Sequence, residues 1–166
     1  MSNLKLIKPD RELALKLDYI LCKKNNVDWI QAYKRMCMLQ GRKFILQENR
    51  TEEEYYNLVN EPKFQYYLLD NDIVVGRAIL SRKGNNLMDI QYVLIEEEYR
   101  NKGYGIVIFK LLESEIMKDE DIEGIIIEDA SESKQTSKIV NKLGYKKIDD
   151  FQFIKYRDDF INNKIK

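Results

Sequence analysis

Residues 89–118 of the chain, DIQYVLIEEEYRNKGYGIVIFKLLESEIMK, decide the fold. From Asp89 to Ile95 the sequence alternates and then becomes apolar, which predicts a strand that passes from an exposed edge into a buried layer. Gly103 and Gly105 follow, and after them apolar residues recur at helical spacing. The stretch therefore predicts a strand, a glycine turn and a helix, in that order.

A glycine turn directly before a helix favours anion binding. Glycine permits positive φ and has no Cβ, so successive backbone N–H groups can converge on one point. The first turn of the helix adds N–H groups without intrahelical partners and the positive end of the helix dipole. Arg100 and Lys102 place positive charge beside the turn. The pattern predicts a phosphate or diphosphate site, and the alternative is a tight turn without a ligand.

The spacing of the glycines distinguishes this turn from two common nucleotide-binding motifs. The sequence lacks GxxxxGK followed by Ser or Thr, and it lacks the third glycine of GxGxxG. The pattern present is Arg100-x-x-Gly103-x-Gly105, preceded by an apolar strand, Val93–Ile95, and an acidic turn, Glu96–Tyr99. It closely resembles the signature of the GNAT superfamily of acyl-CoA N-acyltransferases, in which (Arg/Gln)-x-x-Gly-x-(Gly/Ala) holds the pyrophosphate of coenzyme A.

Composition excludes several other classes of protein. A length of 166 residues suits a single domain, and equal numbers of basic and acidic residues (28 each) give no net charge to attract nucleic acid or a membrane. The absence of histidine excludes His-based catalysis and His metal sites. Cys22 and Cys37 lack disulfide or metal spacing, which suits a reducing compartment. We expect a soluble, cytoplasmic protein without a metal, and the high Ile, Lys and Asn content suggests a bacterial source.

The first part of the chain predicts mainly helices. Trp29, Tyr33 and Met38 lie along one of them, where they favour a packed core over the lining of an acceptor pocket. The predicted elements are a strand at 4–8, a helix at about 11–24 with Asp10 as its N-cap, and helices at 28–41 and 51–59.

The second part predicts mainly strands. The continuous run Ile125–Ile127 is typical of a parallel strand that is buried on both faces and reached through a helical crossover. Gly76 lies inside a predicted strand and indicates a bulge or a close backbone approach. The predicted strands are at 65–70, 73–81, 89–95, 122–128, 145–148 and 151–156, with helices at 106–118 and 133–143 and a frayed tail from Arg157.

This order of elements also resembles the GNAT arrangement, best from Phe64 to Tyr156. The resemblance implies an α/β (α+β) fold with a mixed, mostly antiparallel central sheet of about six to seven strands flanked by helices. It implies that the sheet is splayed between the strand at 87–95 and the strand at 122–128. The single domain, 1–166, is expected to comprise a helical acceptor-side region (1–62), an acetyl-CoA-binding core (63–156) and the tail (157–166).

The resemblance also implies the function, an acetyl-CoA-dependent N-acetyltransferase whose amine acceptor attacks the thioester directly. The strand before the signature would pair its backbone with the pantetheine arm and hold the oxyanion of the tetrahedral intermediate. The signature segment Arg100–Ile106, called the glycine loop below, would hold the diphosphate. The expected partner is a small-molecule or peptide amine, with no nucleic acid and no membrane, and a homodimer stays open. The residues implied to bind acetyl-CoA are Val93, Leu94, Ile95, Arg100, Asn101, Lys102, Gly103, Tyr104, Gly105, Ile106 and Ser133, the last standing where the family often has Asn.

Asp89 is the candidate general base. Several members of the family carry an acidic residue on this strand, and a carboxylate can accept the proton that the attacking amine loses. An ordinary aspartate pKa of about 3.9 requires either burial or a water relay for this role. The alternative is an ordinary polar residue near a strand end. Acidic residues at 96–98, 128, 129 and 132 either favour a cationic amine or are solvated loop charges.

One position departs from the family pattern. The tyrosine that usually protonates the leaving thiolate lies four residues before the glycine that ends the last helix, and here Val140 precedes Gly144 at that spacing. Tyr145, Ser137 and Asn141 are near in sequence, and water is another route. The departure keeps open a catalytically weak or inactive acyl-CoA-binding domain with a regulatory or partner-binding role. A phosphate-binding fold unrelated to acyl transfer is a third reading.

Overall fold

The computed structural model describes residues 3–10, 13, 17, 65–129 and 134–160. The chain divides into two compact units, residues 1–6 with 68–166, and residues 7–67. In the second unit Asp10 accepts a hydrogen bond from the backbone N–H of Leu13 (2.8 Å), which confirms the predicted helix cap. The following predictions lie outside the described residues: the helices at 28–41 and 51–59, Trp29, Tyr33, Met38, Cys22, Cys37 and Ser133.

The described elements follow the predicted order, and their ends differ from the predicted ones by no more than two residues. Two short 3₁₀ turns flank β4, one at Gly84–Asn86 and one at Glu97–Tyr99. The strands are β1 (Leu4–Ile7), β2 (Gln65–Asp70), β3 (Ile73–Lys83), β4 (Leu87–Ile95), β5 (Gly124–Glu128), β6 (Lys146–Lys147) and β7 (Gln152–Tyr156). The helices with assigned bounds are α1 (Tyr104–Met117) and α2 (Gln135–Lys142).

The strands form one seven-stranded sheet in the order β1-β2-β3-β4-β5-β7-β6. β3 pairs with β4, and β7 with both β5 and β6, in antiparallel orientation. β4 and β5 are parallel neighbours, because α1 returns the chain to the same end of the sheet. The predicted mixed and mostly antiparallel sheet is confirmed.

β4 and β5 part halfway along β4. Their parallel register ends where Ile90 pairs with Ile127, and β4 then continues to Ile95 along β3. On the other side of β4, Ile90 pairs with Leu80 of β3 and Tyr92 pairs with Ile79. Gln91 is therefore the extra residue of a β-bulge, at the point where β4 separates from β5. The structure thus confirms the predicted splay.

The β2–β3 hairpin brings the backbone of β3 close to the end of β4. Asn71 and Asp72 both have positive φ (49° and 67°), as a tight two-residue hairpin turn requires. Further along β3, a Cβ on Gly76 would lie 2.8 Å from Ile95 Cδ1 and 3.1 Å from the carbonyl oxygen of Leu94. Gly76 therefore allows β3 to approach the end of β4 closely. The bulge of this strand pair is at Gln91 and not at Gly76.

α1 packs its apolar side on the core of its unit through Ile108, Leu112 and Ile116, which are 0–4% exposed. Glu113 is also buried, although the sequence pattern gives no reason for a buried acid. Its carboxylate accepts a hydrogen bond from the Tyr145 hydroxyl (3.1 Å) and lies 3.6 Å from the ammonium group of the equally buried Lys155. We infer that the acid is tolerated there because two residues from later in the chain satisfy it.

The chain does not fray at Arg157, and that prediction is wrong for 157–160, which are helical. The Arg157 guanidinium donates hydrogen bonds to the carbonyl oxygens of Ile122 (2.6 Å, from Nε) and Asp119 (2.6 Å, from Nη2). These carbonyls belong to the segment that leaves the C-terminus of α1. A cation placed there donates to carbonyl groups just beyond the helix and complements the helix dipole, so it holds residues 157–160 in place.

Candidate active site

The last residues of β4 offer backbone groups on the side away from β3. Glu96, directly after the strand, donates its backbone N–H to the Val75 carbonyl of β3 (2.9 Å). Because backbone groups alternate sides along an antiparallel strand, those of Leu94 also face β3, while those of Val93 and Ile95 face the opposite side. That side is the gap left by β5. Of the three residues predicted to pair with the pantetheine arm, the geometry favours Val93 and Ile95.

Arg100, the first residue of the glycine loop, contacts the end of this strand. Its Nε donates a hydrogen bond to the carbonyl oxygen of Ile95 (2.9 Å), and its side chain is otherwise on the exposed surface. The strand end and the glycine loop are therefore joined directly. The positive charge of Arg100 therefore lies beside the end of β4, next to the gap between β4 and β5.

The loop reverses the chain and starts α1. Asn101 and Gly103 have positive φ (62° and 87°), and α1 begins at Tyr104, two residues earlier than predicted. Among the residues that the structure describes, no side chain caps this helix, and its first turn contains no acidic residue. The N–H groups of the first turn are suited to an anion, as the diphosphate of coenzyme A requires. The residues present fit the predicted ligand.

The side chain of Tyr104 contacts β2, whereas its backbone belongs to the glycine loop. Its hydroxyl donates a hydrogen bond to Oδ2 of Asp70 (2.5 Å), and this bond raises the pKa of Tyr104. The ring packs edge-to-face on Tyr99 at 6.2 Å. Sequence reasoning missed Asp70, because 34 residues separate the two partners and no local pattern connects them.

The first turn of α2 is bound to the end of β5. The carboxylate of Asp129, which is only 4% exposed, accepts hydrogen bonds from both the backbone N–H (2.9 Å) and the hydroxyl (2.7 Å) of Ser137. Lys134 donates to the Asp129 carbonyl oxygen (3.0 Å). Asp129 thus caps α2 from outside the helix. Ser133, predicted to contact the coenzyme just before this turn, lies outside the described residues.

Asp89 lies in the part of β4 that still pairs with β5, opposite Ile126. Its Oδ2 is 3.7 Å from the ammonium group of Lys83, the last residue of β3. Glu128 lies two residues beyond Ile126, so its side chain is on the same face of the sheet as Asp89. Burial raises the pKa of Asp89, Lys83 lowers it, and Glu128 raises it further, with burial as the largest cause. The alternation of side chains in β3 and β4 puts Lys83 and Asp89 on the same face of the hairpin, so the sequence could have identified Lys83 as a neighbour of Asp89.

Comparison with known proteins identifies the family. A sequence model of the Acetyltransferase (GNAT) family matches residues 22–145. The chain belongs to this family. The identification made from the glycine loop and the order of elements is confirmed, and with it acetyl-CoA as the cosubstrate of GNAT acetyltransferases. No curated protein matches the chain in sequence.

Solved structures of GNAT acetyltransferases share the fold at low sequence identity. Spermidine N-acetyltransferase from Vibrio cholerae, in complex with CoA and spermine, is 13% identical with a TM-score of 0.69, over 98% of this chain and 100% of that one. Aminoglycoside acetyltransferase AAC(6')-Ib in complex with coenzyme A is 12% identical with a TM-score of 0.67, over 98% and 99%. The ribosomal-protein-S18-alanine N-acetyltransferase from Escherichia coli is 12% identical with a TM-score of 0.56, over 92% and 91%.

The position of the usual GNAT tyrosine is part of the core in this chain. Val140 is 0% exposed. Tyr145 is 5% exposed and donates its hydroxyl to Glu113, and burial together with that carboxylate raises the pKa of Tyr145 far above its ordinary range. Tyr145 is therefore unsuited to donate a proton to a thiolate. Ser137 already donates its hydroxyl to Asp129, and Asn141 is exposed.

Two other observations concern only the part of the chain that the structure describes. No three side chains of His, Cys, Asp or Glu converge there as the ligands of a metal ion would. No helix in those residues combines the length and apolar character needed to cross a bilayer.

Proposed function

We propose that the chain is an N-acetyltransferase that transfers the acetyl group of acetyl-CoA to an amine by direct attack on the thioester. The observation that carries this proposal is the continuity of the site. β4 separates from β5 after Ile90, and its exposed backbone edge leads within a few residues into the glycine loop and the N-terminus of α1. A single ligand with an extended arm and a diphosphate matches that sequence of binding groups.

Each part of the site has a proposed task. The backbone groups of Val93 and Ile95 would bind the extended arm as an added strand, and their N–H groups would polarise the carbonyl that is attacked. The glycine loop, Arg100–Ile106, would bind the diphosphate. Ser133 stays a proposed contact near the start of α2. When bound, acetyl-CoA supplies the acetyl thioester, and transfer forms a C–N bond, breaks the C–S bond and releases one proton from the amine.

Asp89 is the proposed acceptor of that proton. Its raised pKa makes the carboxylate a stronger base than an exposed aspartate, and Lys83 at 3.7 Å favours the ionised form that a base needs. A water molecule would carry the proton if the amine binds nearer to the end of β4. The thiolate would take its proton from water, because Val140 and Tyr145 are unsuited to supply it.

The acceptor is proposed to be a small-molecule or peptide amine. Asp89 and Glu128 share one face of the sheet, so a cationic amine would find two carboxylates beside the transfer site. The structural relatives include proteins named for spermidine and aminoglycoside acetylation, which have acceptors of this charge. We further propose that the protein acts in the bacterial cytoplasm, where its two cysteines would stay reduced.

A ligand-binding experiment tests the proposal first. Thermal unfolding should be measured with acetyl-CoA, coenzyme A, ATP and NAD in parallel, since a ligand at about 100 times its dissociation constant stabilises the folded state by about 2.7 kcal/mol. We expect a shift with acetyl-CoA and coenzyme A only. A panel of polyamines, aminoglycosides, amino acids and peptides then identifies the acceptor by the mass of one added acetyl group. A shift with ATP or NAD alone would contradict the proposal.

A second candidate function follows from the buried Val140 and from Tyr145 held by Glu113. Without a dedicated acid for the thiolate, the chain could bind acyl-CoA and transfer slowly, in a regulatory or partner-binding role. Stabilisation by acetyl-CoA with no acetylated product across the amine panel would favour this reading. Rapid turnover of any amine would exclude it.

A further inference from the structure

We propose that Asp70 is a positioning residue for the glycine loop and acts through the hydroxyl of Tyr104. This inference rests on the proposed function, since it concerns how the loop is held for the diphosphate of acetyl-CoA. Asp70 lies on the β2–β3 hairpin, away from the strand and helix that form the loop. Its contact with the loop is the 2.5 Å hydrogen bond from Tyr104.

Tyr104 is placed where a small movement would change the whole loop. It is the first residue of α1 and lies between Gly103, whose φ is 87°, and Gly105. Glycine on either side gives the backbone wide freedom, so the N–H groups of this turn are not held in one geometry by local preference. An external contact is therefore needed to preorganise them, and the side chain of Tyr104 provides one between the two glycines.

The side chain of Tyr104 is held at two points, the ring and the hydroxyl. Its ring is 7% exposed and packs edge-to-face on Tyr99. Its hydroxyl donates to a carboxylate at a distance typical of a charge-assisted O–H···O⁻ bond. The second carboxylate oxygen of Asp70, Oδ1, is buried and has no hydrogen-bond partner within the described part of the chain. Asp70 thus directs its strongest polar interaction at Tyr104.

Asp70 itself is fixed by the hairpin turn. It is the last residue of β2, and Asn71 and Asp72 then reverse the chain. The Asn71 N–H donates to the carbonyl oxygen of Asn3 beside β1 (3.1 Å). The carboxylate is consequently mounted at the end of a strand that is paired on both sides within the sheet. The hairpin can hold the loop in position without touching the ligand.

The test compares two acetyl donors that differ in the diphosphate. Acetyl-CoA contains it, while S-acetylpantetheine has the same arm and thioester and lacks it. The variants are Tyr104→Phe, which removes only the hydroxyl, and Asp70→Asn, which removes only the charge. The matched control is Asp72→Asn, which removes the same charge from an exposed position two residues away on the same hairpin.

For both variants we expect the KM for acetyl-CoA to rise about tenfold, the loss that goes with one hydrogen bond to a charged group, while kcat changes less than about twofold. The value of kcat/KM for S-acetylpantetheine should stay within about twofold of the unmodified chain. The double variant should be no worse than either single variant, because both remove the same contact. Asp72→Asn should behave as the unmodified chain with both donors.

Other outcomes separate this inference from the function on which it rests. Failure of the unmodified chain to use or bind acetyl-CoA would overturn both. If the unmodified chain is active and the variants keep its KM for acetyl-CoA, the positioning role is overturned and the transferase function stands. An equal loss with both donors would also overturn it, since that pattern indicates general damage to the fold. Amide hydrogen exchange of 101–106 should increase in the two variants and not in Asp72→Asn.

Discussion

Arg100 Nε donates a hydrogen bond to the carbonyl oxygen of Ile95, so the first residue of the glycine loop is bound to the last residue of β4. The contact spans the turn at Glu97–Tyr99 and closes it into a short ring. Strand edge and loop therefore keep a constant spacing. For a ligand whose arm binds one and whose diphosphate binds the other, that spacing determines whether both can be bound at once.

Gly103→Ala should weaken coenzyme A binding at least tenfold. A side chain at a φ of 87° costs about 1–2 kcal/mol, and relief of that strain would move the N–H groups that are proposed to bind the diphosphate. Isothermal titration with coenzyme A measures the change. Gly84→Ala is the control, because a Cβ added to Gly84 in the β3–β4 turn would meet no atom within 4 Å. Unchanged affinity of Gly103→Ala would show that the loop is not the diphosphate site.

Asp89→Asn should lower kcat and remove the acid limb of the pH–rate profile, with the KM for acetyl-CoA unchanged. If the carboxylate is the base, activity falls as pH falls through its pKa, because the protonated acid cannot accept a proton. Lys83→Met should move the acid limb to higher pH, since Lys83 lowers the pKa of Asp89. Lys83→Arg keeps the charge and serves as its control. A persistent acid limb in Asp89→Asn would assign the limb to another group.

Glu113 should make the folded state less stable as pH rises above the ordinary glutamate value of 4.5. Burial raises its pKa in the folded chain, so between 4.5 and that raised value the folded state holds a proton that the unfolded state has lost. Urea unfolding across this range should show stability falling with pH. In Glu113→Gln this part of the slope should disappear, whereas Glu115→Gln on the more exposed side of α1 should keep it.

Arg157→Met should reduce the free energy of unfolding by about 2 kcal/mol. The substitution keeps a long apolar side chain and removes the donors that satisfy the carbonyl oxygens of Ile122 and Asp119, each 2.6 Å away. Lys118→Met removes an exposed ion pair with Glu115 at the same end of α1 and should cost less than about 0.5 kcal/mol. Equal losses in the two variants would mean that the Arg157 contacts add nothing beyond surface charge.

The succession of strands and turns was predictable because it depends on short-range patterns. Strand-forming residues located β2 at 65–70 and the start of β3 at Ile73, which left Asn71 and Asp72 for the turn between them. The start of α1 at Tyr104 was missed by two residues, since the left-handed conformation of Gly103 lets the helix begin directly after it. Fraying at Arg157 was predicted from the charge of the tail alone. The carbonyl group of Ile122, to which Arg157 donates, lies 35 residues away and no local pattern indicates it.

By itself, the sequence determined the family and the place of the glycine loop, because glycine spacing, strand alternation and helical periodicity are properties of neighbouring residues. Only the tertiary structure decided which distant side chains contact that loop and the core behind it. Asp70 meets Tyr104 across 34 residues, and Lys155 meets Glu113 inside the core. Such pairs depend on the order in which strands join the sheet and on the register between them. Burial then sets the strength of each contact, and no local pattern of the chain contains that information.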